Sequence, residues 1–147
     1  MAGSSPAFLQ KRVSVGAALA SVATLLVFLI WRVAAIFDAD LGAKGWLWLG
    51  FEAALLVFVL PLVAVLYSVL GVVLVHRGRG NRLHCALSGG AVGGLAGLAL
   101  ASIGLFDIEV GGLLNSTPAG IVAMVLSGMA GGFVGYAGWF PPASINE

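Results

Sequence analysis

Residues 83–106 read LHCALSGGAVGGLAGLALASIGLF, a run without a single Asp, Glu, Lys or Arg. Glycine returns in it with a helical rhythm. Gly90, Gly94, Gly97, Ala101 and Gly104 follow one another at steps of four, three, four and three, which places them on one narrow face of a helix. A second run, SGMAGGFVGYAGW at 127–139, repeats the device with Gly128, Gly131, Gly135 and Gly138 at steps of three, four and three. Glycine weakens a helix in water by about 1 kcal/mol relative to alanine. A whole face of it therefore predicts a helix whose backbone lies close to another backbone. The two runs also resemble each other once one residue is removed, either by chance, as two stretches drawn from the same Gly-Ala-Val pool do, or as a duplicated or inverted element of the kind found in transporters.

Outward from these runs the whole chain is apolar. Of 147 residues, 61% are apolar and only 9% are charged, with 22 glycines; the mean hydropathy is +1.10. A typical globular domain carries about 25% charged residues, so composition points to a polytopic membrane protein. Four charge-poor stretches, at about 13–36, 46–75, 83–106 and 118–140, match the roughly 20 residues a helix needs to cross a bilayer. They do not alternate with the period of two that a membrane barrel requires. The expected fold is all-α: one integral membrane domain over residues 1–147, a four-helix transmembrane bundle with the glycine-rich third and fourth spans as an antiparallel hairpin. Lys11 and Arg12 precede a first run too long for a secretory h-region, which favours an uncleaved span.

Charge supplies an orientation. Lys11 and Arg12, then Arg77, Arg79 and Arg82 in a basic loop, fall on one side of such a serpentine. Asp38, Asp40, Lys44, Asp107 and Glu109 fall on the other. The positive-inside rule puts both termini in the cytoplasm of a cell membrane, with a bacterial inner membrane as the expected setting. Trp46, Trp48 and Trp139 suit interfacial belts. Contact of the basic loop with phosphate headgroups is a further expectation. A net charge of +1 and three loop arginines are too little for a nucleic-acid interface.

Candidate sites are few. Arg32 and Glu52 stand at similar depth near the outer ends of the first two spans, a candidate ion pair read as a clamp, with a polar site or snorkelling as alternatives. Pro61 should kink the second span. Ser116 or Thr117 can cap the fourth helix, with Pro118 in its first turn. The single cysteine, Cys85, excludes an intrachain disulfide. His76 and His84 lack a third ligand, so no metal and no cofactor is expected. Within the spans no carboxylate pair stands at helical spacing and no serine has a histidine partner at a span end, while Asp38 with Asp40 and Asp107 with Glu109 read as solvated loop charges. The function expected from the sequence is a non-catalytic accessory or structural subunit of a membrane complex, bound by lipid and by other membrane subunits or itself. The alternative is a small oligomeric channel or transporter.

Overall fold

The computed structural model describes residues 6–38, 42–77, 80–102, 114 and 116–140. They form four long helices: α1 (Pro6–Asp38), α2 (Gly42–His76), α3 (Arg82–Ser102) and α4 (Thr117–Trp139), with a 3₁₀ turn at Leu114. Helix boundaries follow from local chemistry. Asn81 caps α3, its Oδ1 accepting the Leu83 N–H at 2.9 Å while its carbonyl accepts from Cys85 at 3.0 Å, as a short polar side chain does best at that position. Ser116 is extended before α4, and Pro118 occupies the first turn, where a missing N–H costs nothing. Phe140 ends α4 because Pro141 follows it, and a residue before proline is driven out of the helical region. Pro61 does not break α2, which runs on through it to His76.

The helices lie side by side in the order α3–α4–α1–α2. α4 packs extensively on both α3 and α1, α1 also carries α2, and α2 barely meets α3 or α4. Each neighbouring pair is antiparallel. Along the α3–α4 contact, a side chain at Gly89 would strike Gly128 and Gly132, one at Gly93 would strike Met124, and one at Gly97 would meet Ile121 and Met124. Along the α4–α1 contact, Gly131 lies on Thr24 and Ala20, Gly135 on Ala20, and Gly138 on Gly16. α4 is thus glycine-faced on two sides.

Several sequence expectations are corrected at this level. Among the described residues two helices, not four, are long and apolar enough to cross a membrane: Ala7–Phe37 and Thr117–Trp139. Within α2 the described apolar segment is Leu60–His76. α3 is composed largely of Gly, Ala and Ser, whose small side chains contribute little transfer free energy per residue. In the two qualifying helices 33% and 39% of the apolar window is buried within the bundle. The chain is a self-packed all-α bundle rather than a four-span transmembrane bundle. The assignments that depended on four spans do not hold: location in a cell membrane with cytoplasmic termini, partnership with lipid or membrane subunits, and the roles of membrane accessory subunit or oligomeric channel.

Trp139 is a further correction. It was expected at a surface belt and is instead fully buried. It fills the slot between Gly16 of α1 and Gly71 of α2, so the hydrophobic effect that a belt position leaves half unused is spent inside.

The glycines differ in what they tolerate. A Cβ at Gly93 would strike the Met124 carbonyl, a Cβ at Gly94 would meet only Val125 Cγ2 at 3.2 Å, and one at Gly50 would meet nothing. Gly50→Ala should therefore raise stability by about 1 kcal/mol through helix propensity. Gly93→Ala should lower it by about 1–3 kcal/mol, because backbone cannot yield as a side chain can. Reversible denaturant unfolding checks both values; equal stability of the two variants would refute the close α3–α4 contact.

Candidate functional site

The main described core cluster draws on all four helices. Ala17, Ala20, Tyr67, Leu74, Cys85 and Trp139 form its buried cluster, with Val63, Leu70, Tyr136 and Phe140 against it. Within this apolar setting lies a polar node. Thr24 of α1 donates to the Ala20 carbonyl at 2.8 Å, and its Oγ1 lies 2.6 Å from Tyr67 Oη of α2. Tyr67 Oη in turn lies 3.2 Å from the Gly128 carbonyl of α4. Three helices are joined through one phenol.

The proton arithmetic of the node is short by one. A threonine and a tyrosine hydroxyl own a single proton each, and three contacts ask for one. If Thr24 serves Ala20, then Tyr67 serves either Thr24 or Gly128, not both at once. The Gly128 contact is the longest, as the weaker share of a divided donor should be. Gly128 already sits where α4 meets α3, so its carbonyl is tied through Tyr67 to a helix that otherwise scarcely reaches α4. Burial raises the Tyr67 pKa above its ordinary 10.0, with the Thr24 hydrogen bond opposing that rise.

Around the node, Ser21 bonds back to the Ala17 carbonyl at 2.7 Å. Ser127 Oγ and Trp139 Nε1 are buried without a hydrogen-bond partner. Tyr67 and Trp139 lie 6.3 Å apart, ring centre to ring centre. Cys85 is fully buried and its thiol pKa is raised by that burial, which keeps it protonated and out of reach of reagents.

The residues singled out in the sequence are dispersed. Gly90 faces Met129, Gly94 faces Val125 and Gly97 faces Met124, all on the α3–α4 side, as does Gly128. Gly131, Gly135 and Gly138 turn to α1 instead; Gly104 lies outside the described residues. Arg32 is 8% exposed, with its guanidinium 5.2 Å from the Trp31 ring. The Glu52 side chain lies outside the described residues, as does Arg79. Arg77 and Arg82 are exposed at the α2–α3 turn. Arg82 lies over Phe133 and Tyr136 at 5.8 and 5.6 Å.

Thr24, Tyr67, Gly16 and Gly71 were not legible as a set, because they come from different helices and none belongs to a motif. Among the described residues no three His, Cys, Asp or Glu side chains converge as a metal site would require. What the node does chemically is hold helices: its hydroxyls bond to helix carbonyls and to each other. No family model, curated protein or solved structure matches this chain.

Tyr67→Phe removes the bridge while preserving shape, and should cost about 1–2 kcal/mol, the usual range for a buried hydrogen bond. A raised folded-state pKa means that stability from the neutral phenol is complete below pH 10.0 and is lost as pH rises through the folded value. Alkaline titration should therefore unfold the parent more readily than Tyr67→Phe, relative to each at neutral pH. A parallel fall in both proteins would show that Tyr67 does not carry the effect.

Proposed function

We propose that this chain is a non-catalytic helical module that works by self-association, packing its outward apolar seams against those of a second copy. One observation carries the reading. On α2, Leu62, Val65, Val69 and Val72 are 62%, 58%, 59% and 50% exposed, and their numbers step by three, four and three. That is the heptad spacing with which one helix seats knobs into the holes of another. α2 has α1 as its one substantial neighbour, so the seam lies free on its far side. α1 presents a matching row of exposed residues, Val15, Leu19, Val22 and Leu26.

Large contiguous apolar surfaces are uncommon on proteins that work alone and mark contact sites. The buried polar groups support the same reading, since Thr24 and Tyr67 are engaged in holding helices rather than facing an open cleft. Neither seam is flanked by the alternating charges that set register in a coiled coil. The contact is accordingly one of apolar packing.

Light scattering on the full chain should give a particle heavier than one 14.9 kDa chain. The double variant Val65→Gln, Val69→Gln should shift it toward the single-chain mass with helicity unchanged, because solvent-facing substitutions leave the core intact. A parent already at single-chain mass would overturn the proposal. So would retention of both proteins in alkali-washed membranes.

A further inference from the structure

The ends of the bundle differ in charge. α1 begins, α2 ends, α3 begins and α4 ends at one pole, the level being set by Trp139 against Gly16 and Gly71 and by Phe140 against Gly80. Lys11, Arg77 and Arg82 are exposed there, and Arg12, next to Lys11 in sequence, is half-buried. They come from α1, from the turn after α2 and from the start of α3, around the last turn of α4. Among the described residues no Asp or Glu lies at this pole, and α1 closes on Asp38 at the opposite end.

The two arginines are held by rings rather than by carboxylates. Arg12 lies 4.3 Å from the Phe8 ring centre, and Arg82 lies over Phe133 and Tyr136. A guanidinium stacked on an aromatic face keeps its in-plane N–H donors available.

We propose that this pole is an anion-binding surface that takes a ligand carrying several phosphate groups. Cations from separate helices call for more than one anionic centre, and phosphate oxygens match the guanidinium fork. α4 meets the site with its C-terminal end, whose partial negative charge opposes an anion. The ligand is therefore expected to lie over the flanking arginines rather than on the α4 terminus. This inference is independent of the apolar seams.

The test is titration of the full chain with inorganic tripolyphosphate, and separately with vesicles of anionic phosphatidylglycerol against neutral phosphatidylcholine. Arg77→Gln and Arg82→Gln should each weaken binding several-fold. Lys44→Gln, an equal loss of charge at an exposed site of the other pole, should not. Circular dichroism of each variant establishes that the fold persists. Arginine-dependent tripolyphosphate binding supports a free phosphate ligand, and preference for anionic vesicles without tripolyphosphate binding overturns it. Absence of both, or an equal effect of Lys44→Gln, overturns the proposal.

Discussion

The approach of the α4 backbone to two neighbours at once is the constraint on which the bundle rests. Gly128 and Gly132 allow α3 to come within backbone contact on one flank, while Gly131, Gly135 and Gly138 admit α1 on the other. Two glycine faces on one helix are costly in propensity. The return is dispersion and weak Cα–H···O contact along both lengths, available only while no Cβ intervenes. α3 and α1 flank α4 on opposite sides, so α4 supplies the most extensive contact of each.

Close glycine packing leaves little apolar side-chain area between helices, and large side chains from elsewhere supply it. Trp139 enters the space over Gly16 and Gly71 and gives α2 a contact with α4 that its backbone does not make. Tyr67 does the same with a hydrogen bond, reaching Thr24 on one helix and Gly128 on another. Both residues sit on the side of the bundle where small residues have made room. Glycine and aromatic are complementary parts of one packing solution, consistent with the density that protein interiors reach.

The exterior has a different economy. Every described helix turns large apolar residues outward, among them Leu26, Leu62, Leu95 and Leu126, while the cations concentrate at one end. Apolar sides and a basic pole are separable features: the first suits extended helix contact, and the second suits a localised anion. Their separation follows from the helix order, since short turns return the chain to the same pole at Arg77 and Arg82.

The all-α class, the existence of four long helices and the start of α4 were legible in the sequence, because charge spacing, helical periodicity and Pro118 are local signals. Heavy use of glycine as contact surface was legible for the same reason. The number of membrane-competent helices was not, since charge-poor length alone does not distinguish an apolar helix from one, like α3, made of small residues. Nor could periodicity say which glycine face meets which neighbour. Gly131, Gly135 and Gly138 read as partners of α3 along the chain, yet they meet α1, because a helix with two permissive faces accepts either partner and only the assembled packing selects. The fate of Trp139 was decided in the same way. Its burial depends on gaps opened by Gly16 and Gly71, residues far away in sequence, and a gap between helices exists only once the helices are brought together.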